Sequence, residues 1–242
     1  MNLYNEICKP GKKFSLLIDP DKYSVHSLIA TLYAAEEAKI NFILVGGSLV
    51  SDRADSCIEI IKKNTSIPVI LFPGSLLQLS NKADGIFLLS LISGRNPDYL
   101  IGNHVLAAPF LKKSGMEVIP TGYILVGDGH GSSVEYISNT RPIPSDKYDL
   151  VIATAIAGEL MGNKIIYLES GSGAGSIIPP DLIREVKKNI AVPIIVGGGI
   201  RTPEHARMIA DAGAEIIVVG NVIEKDIDVL DALVRSFRYH GT

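Results

Sequence analysis

The absences in this 242-residue chain narrow it first. It has only two cysteines, Cys8 and Cys57, and no CxxC pair. These fit a reducing, cytoplasmic compartment better than a disulfide framework. No run of about 18 uninterrupted apolar residues occurs, so no membrane-spanning helix is expected. Met1 to Lys13 is polar and lacks the apolar stretch of a secretory signal. Basic residues are not in excess. Lys and Arg number 23 against 26 Asp and Glu, a net charge of −3. That argues against broad nucleic-acid binding, which needs a basic surface. No Pro/Gly/Ser-rich linker divides the chain, so one domain over residues 1–242 is expected.

What is present is apolar surface (47% of residues) and glycine (23). Area scaling for this mass gives about 10,500 Å² folded against about 37,600 Å² extended. Ample core can form without covalent staples.

Eight short apolar runs punctuate the sequence: Phe14 to Ile18, Phe42 to Val45, Val69 to Phe72, Ile86 to Leu89, Glu117 to Val126, Ile165 to Leu168, Ile194 to Val196 and Ile216 to Val219. Most are continuously apolar, the pattern of parallel strands buried on both faces. Helical patterns lie between them. Val25 to Lys39 has apolar residues near the 3.6 period, and Pro203 to Ala212 follows the N-cap candidate Thr202. Asp181 to Asn189 and Ser145 to Met161 read the same way. Cys57 sits in another helical stretch and reads as a small core hydrophobe.

Eight strands alternating with helices predict an α/β fold, a (β/α)8 TIM barrel. Gly74 to Gly85 is too short for a full connection, so the helix between strands three and four is expected to be shortened or missing. An open doubly wound sheet ranks lower, because the first strand ends in Asp19-Pro20 and not in a glycine fingerprint.

Active groups of such a barrel lie at the C-terminal strand ends. Strand six is followed by Glu169-Ser170-Gly171-Ser172-Gly173, strand seven by Gly197-Gly198-Gly199, and strand eight by Gly220-Asn221. Glycine lets backbone N–H groups approach an anion, so these ends predict a phosphomonoester site. Tight-turn glycine is the plainer alternative. Glu169 either accepts a bond from a substrate hydroxyl as general base or is a salt-bridged rim carboxylate. Tyr167 shares its face of the strand. Asp19 and Ser48, at adjacent strand ends, form a hard-oxygen pair suited to Mg²⁺ held mostly by phosphates and water. Their alternative roles are turn and N-cap residues. His130 lies in a glycine-rich loop with the makings of a lid. His26, His104, His205 and His240 show no metal spacing.

At these residues the sequence resembles the geranylgeranylglyceryl phosphate synthase family, which includes a heptaprenylglyceryl phosphate synthase branch. The matching stretches are LIDPDK (Leu17 to Lys22), VGGS (Val45 to Ser48), NPDYLIGNH (Asn96 to His104), YLESGSGA (Tyr167 to Ala174), IVGGGIR (Ile195 to Arg201) and IIVVGN (Ile216 to Asn221). The resemblance implies a TIM barrel lacking one helix, and a prenyltransferase joining sn-glycerol 1-phosphate to a prenyl diphosphate. It implies Mg²⁺ at Asp19 and Ser48. It implies glycerol phosphate at Tyr167, Leu168, Glu169, Ser170, Gly171, Ser172, Gly173, Gly198, Gly199, Gly220 and Asn221, with Glu169 and Tyr167 catalytic. Leu17 stands where the heptaprenyl branch carries lysine, which favours a C20 substrate. Tyr99 stands where an aromatic limits the tail channel. A homo-oligomer, dimer or hexamer, is expected, with at most a transient membrane contact for delivering product. The competing readings are another phosphate-binding barrel enzyme, such as a phosphosugar isomerase, and a non-catalytic barrel that binds a phospholipid headgroup.

Overall fold

Continuously apolar runs fold as predicted into strands buried on both sides. In the computed structural model, which describes residues 2–50, 54–127, 129 and 131–238, the strands are β1 (Lys13–Ile18), β2 (Phe42–Val45), β3 (Val69–Leu71), β4 (Gly85–Leu91), β5 (Glu117–Leu125), β6 (Ile165–Glu169), β7 (Ile194–Gly197) and β8 (Ile216–Val219). All neighbours are parallel, and β8 pairs with β1 to close the barrel in chain order. The period of two then sorts the side chains. On β6, Ile166 and Leu168 face the helical layer, while Ile165 and Tyr167 face the barrel interior.

The helices are α1 (Leu3–Cys8), α2 (Val25–Glu37), α3 (Ala54–Asn64), α4 (Asn103–Ser114), α5 (Ser133–Ser138), α6 (Tyr148–Leu160), α7 (Pro180–Asn189), α8 (Pro203–Asp211), α9 (Asn221–Lys225) and α10 (Val229–Arg238). Thr202 caps α8, its side chain accepting from the His205 N–H. Between β3 and β4 there is only a 3₁₀ turn, Leu76–Gln78, in place of a barrel helix. Cys57 is buried in α3. Among the described residues no helix is long and apolar enough to cross a membrane.

Three differences from the sequence reading have local causes. The helix expected from Ser145 starts at Tyr148, beyond Pro144 and the Lys147 cap position. Helix α5 was not anticipated, although Ser132 and Glu135 carry the capping-box spacing and the Ser132 side chain accepts from the Glu135 N–H. The polar N-terminus holds a further helix, α1, with two apolar residues on one side. Leu3 and Ile7 pack into the barrel floor with Phe42, Phe87, Ile119 and Ile165. Glu117, at the start of β5, holds this plug in place by accepting bonds from the Leu3 and Tyr4 N–H groups.

Glu117→Ala removes the acceptor for both orphan donors of α1. Unfolding in urea is expected to show a loss of about 1–2 kcal/mol, with faster exchange of the Leu3 and Tyr4 amides. Unchanged exchange at those amides would show that the plug is held by apolar packing alone.

Candidate active site

Glu169 ends β6 and points into the barrel mouth, where it is 7% exposed. Burial in an apolar barrel raises its pKa from 4.5 to about 7, against the pull of its hydrogen bonds from the Gly171 N–H and the Tyr167 and Tyr123 hydroxyls. The Gly171 N–H donates to Oε1 at 2.8 Å. A carboxyl so placed exchanges a proton near neutral pH.

Its setting is aromatic. Tyr123 and Tyr167 are direct partners in the β5–β6 register, so both rings project inward side by side. They stack with centroids 5.1 Å apart, and Phe72 stacks on Tyr167 at 5.2 Å. Burial and the adjacent Glu169 push both tyrosine hydroxyls well above their ordinary range, so they stay protonated donors. The sequence reading named Tyr167 and missed Tyr123. The signal was present: inward positions alternate along β5, and parallel register pairs Tyr123 with Tyr167.

The glycines of β7 make room for this group. A Cβ on Gly197 would lie 2.1 Å from the Tyr167 hydroxyl and 2.8 Å from Glu169 Oε2. Gly198 has φ +84°, and its Cβ would lie 2.4 Å from Glu169 Oε1. Gly198 and Gly199 both have positive φ and line the cavity, so backbone without side chains faces it at this turn. Asn221 opens α9 and donates from Nδ2 to Ser172 Oγ at 2.9 Å, tying the β8 end to the β6 loop. Arg201 ties the β7 end to the same loop through the Gly173 and Ala174 carbonyls.

These groups border one cavity of about 490 Å³. Tyr167, Glu169, Ser172, Gly173, Gly198, Gly199, Gly220 and Asn221 line it, as do Asp19 and Ser48. Three expected residues stand apart. The Leu168 side chain faces the helical layer, and Ser170 faces a separate cavity of about 230 Å³. The Gly171 N–H is already engaged by Glu169. His130 lies outside the described residues.

Asp19 ends β1 and also caps the 3₁₀ turn Pro20–Lys22, its Oδ1 accepting from the Asp21 N–H at 3.2 Å. Its turn role and its position in the cavity therefore coexist. Lys22, which the sequence reading did not single out, bridges Asp19 at 3.7 Å and Glu224 at 3.4 Å. Burial nonetheless holds the Asp19 carboxyl above its usual range. Ser48 lies in the loop after β2, and the described part of α3 runs from Ala54. Among the described residues no cluster of three or more His, Cys, Asp or Glu is placed to hold a metal.

The far wall is apolar. Inward Phe87 and Leu91 and outward Ile86 and Leu88 of β4 line the same cavity, together with Leu76, Leu79 and Tyr99. Both faces of one strand contribute because the short turn after β3 leaves the outer one only partly covered: Ile86 is buried, while Leu88 stays half-buried. His104, at the start of α4, meets Ser90 Oγ at 3.0 Å on this side.

The model of the PcrB family matches residues 7–237. A geranylgeranylglyceryl phosphate synthase of Chitinophaga pinensis is 50% identical over 90% of this chain and 87% of its own. One from Spirosoma linguale is 49% identical over 94% and 92%. The crystal structure of (S)-3-O-geranylgeranylglyceryl phosphate synthase from Thermoplasma acidophilum, in complex with its substrate sn-glycerol-1-phosphate, superposes with a TM-score of 0.92. It is 36% identical and covers 98% of this chain and 99% of that one.

Two measurements probe the Glu169 setting. Gly197→Ala forces the Tyr167–Glu169 pair apart, and a displacement near 1 Å is expected to lower turnover about 100-fold. Undiminished turnover would mean that the pair does not need this spacing. The raised pKa of Glu169 also costs stability. The folded chain binds its proton more tightly than the unfolded chain, so stability falls as pH rises from 4.5 to about 7. Glu169→Gln removes that loss. Its Tm relative to the parent is expected to rise by a few degrees between pH 5 and pH 8. An offset that does not vary with pH would contradict the raised value.

Proposed function

We propose, from the premise that the chain belongs to the PcrB family, that it is a prenyltransferase. It joins sn-glycerol 1-phosphate to geranylgeranyl diphosphate, giving geranylgeranylglyceryl phosphate and diphosphate. The observation that carries this reading is Glu169, whose pKa is near 7 and which stands where a glycine cradle meets an apolar cavity.

The Gly198–Gly199 turn, with Ser172 and Asn221 beside it, receives the glycerol phosphate. That clamp sets the free primary hydroxyl of glycerol against Glu169. The hydroxyl oxygen attacks C1 of the prenyl group as the C1–O bond to diphosphate breaks. The bonding pair leaves with diphosphate, and the hydroxyl proton passes to a Glu169 carboxylate oxygen. Tyr123 and Tyr167 hold that carboxylate in line, and their rings close the barrel beneath it to water. Leu76, Leu79 and the β4 side chains take the tail.

Asp19 and Ser48 offer a carboxylate and a hydroxyl, both hard oxygen donors, and the raised Asp19 pKa marks a carboxylate that gains from a cation. This set suits Mg²⁺ held largely by substrate phosphates and water. When bound, Mg²⁺ supplies charge neutralisation for the leaving diphosphate. Lys22 adds a positive charge at the same corner.

Leu17 and Tyr99 favour a C20 tail. Exposed Val105 and Leu106 on α4 support self-association as a dimer or hexamer, in the cytoplasm, with transient membrane contact at product delivery. A phosphosugar isomerase would use the same cradle, yet it has no need of the apolar wall.

Purified protein given labelled glycerol 1-phosphate and a mixture of C15, C20 and C35 diphosphates is expected to form an organic-extractable C20 ether with Mg²⁺ and none with a chelator. Absence of any such ether with Mg²⁺ would refute the reading. Glu169→Gln is expected to lower kcat about 10²–10⁴-fold. In the parent, kcat/KM should climb with pH and level off above about 7, as Glu169 loses its proton.

A further inference from the structure

The connection that replaces the missing barrel helix contains one deeply buried polar side chain. Gln78 is 2% exposed and ends the 3₁₀ turn Leu76–Gln78. Its amide makes three hydrogen bonds across the cavity wall. Oε1 accepts from the Gly47 N–H at 3.2 Å and the Gly74 N–H at 3.3 Å, and Nε2 donates to the Gly47 carbonyl at 2.7 Å. Both backbone groups of Gly47 are thus held by one side chain, 31 residues away in sequence. The contact is tight throughout: a Cβ on Gly74 would lie 2.3 Å from the Gly47 carbonyl oxygen and 3.0 Å from the Ser48 Cα.

Gly47 in turn touches the proposed diphosphate end. A Cβ there would lie 3.0 Å from Asp19 Oδ2, and the next residue is Ser48. On the other side, Leu76 and Leu79 flank Gln78 and line the tail wall of the same cavity. The Gly46 N–H ties the start of this loop to β1 through the Ile18 carbonyl at 3.1 Å, and Gln78 holds the Gly47 backbone beyond it, as a charged ligand requires of the groups that meet it.

We infer that Gln78 is a positioning residue for the prenyl diphosphate: it clamps the Gly47–Ser48 backbone against Asp19 and thereby sets the diphosphate pocket. It touches no reacting atom. The glycerol phosphate cradle, built by β6, β7 and β8, does not depend on it. The inference rests on the assignment of diphosphate to the Asp19 end.

The test is calorimetric titration of the full chain with inorganic diphosphate plus MgCl₂ and, separately, with glycerol 1-phosphate. Gln78→Met keeps the volume and removes all three hydrogen bonds. Weakening of magnesium diphosphate binding by about tenfold or more is expected, with glycerol phosphate affinity within about twofold, and with faster exchange of the Gly47 amide. Gln78→Asn, which withdraws the same amide by one methylene, should give the same split at smaller size and serves if the methionine variant does not fold. Equal weakening of both ligands, or unaltered diphosphate binding in a folded variant, overturns the inference. If the parent protein itself fails to bind magnesium diphosphate, the assignment of that end falls and the inference with it, a result visible before any variant is made.

Discussion

Burial of one carboxyl group inside an apolar barrel is the constraint around which the mouth of this protein is arranged. An ionised carboxylate there loses its hydration, and only directed donors return part of it. Glu169 receives three: one backbone N–H and two phenol hydroxyls. Those donors dictate much else. Tyr123 and Tyr167 must be neighbours in register, which fixes the alignment of β5 against β6. The Gly171 N–H must turn back toward the strand, which shapes the first turn of the following loop. Positions 197 and 198 must lack side chains, because any Cβ there would occupy the space of the carboxylate and its tyrosine. What remains after this compensation is a group whose proton is only loosely committed at neutral pH.

The barrel interior divides accordingly. Its lower part is mostly apolar, with Phe42, Phe87, Ile119 and Ile165 stoppered by Leu3 and Ile7 of α1 and the hydroxyls of Ser15 and Thr121 buried at the same level. The aromatic layer of Phe72, Tyr123 and Tyr167 sits above it and separates hydrocarbon from the polar mouth. Tyrosine suits that boundary because its ring packs downward while its hydroxyl serves the carboxylate above. Net charge does not decide which ligands can enter. A chain at −3 presents anions with backbone donors at glycine turns and with the side chains of Asn221, Arg201 and Lys22 at one end of the barrel.

Features governed by chain-local physics were legible in the sequence. Eight apolar runs, their order and the shortened third connection followed from periodicity and length, and the strand ends located the candidate groups. The same reasoning could not separate the two faces of a strand end from the loop beyond it. Leu168, in the middle of a motif, faces away from the mouth because alternation overrides motif membership. Ser170 borders a neighbouring cavity, its hydroxyl occupying the space that a side chain on Gly198 would need. Tyr123, Lys22 and Gln78 were passed over for the opposite reason. Each matters through a partner on another strand or loop: Tyr167 across a register, Glu224 across the barrel seam, Gly47 across the gap between β2 and β3. A single sequence without pairing information carries the residues but not these meetings.

The absent helix is the place where stability and ligand space are exchanged. In a regular barrel the outward side chains of β4 would be buried beneath the helix after β3. Here Leu88 remains half-buried and lines the cavity together with Leu89, its inward-facing neighbour on the same strand. Each large aliphatic side chain left uncovered forgoes about 1.5–3 kcal/mol of burial. The long strand β4, its ladder of seven residues with β5, and the packed floor offset that loss. An apolar tail laid along the same wall would restore the missing burial, so the vacancy in the fold is itself a source of affinity for a hydrocarbon chain. The cost is carried by the free protein and removed on binding. For this reason the turn that replaces the helix is apolar along the cavity, at Leu76 and Leu79, yet anchored by a single buried amide.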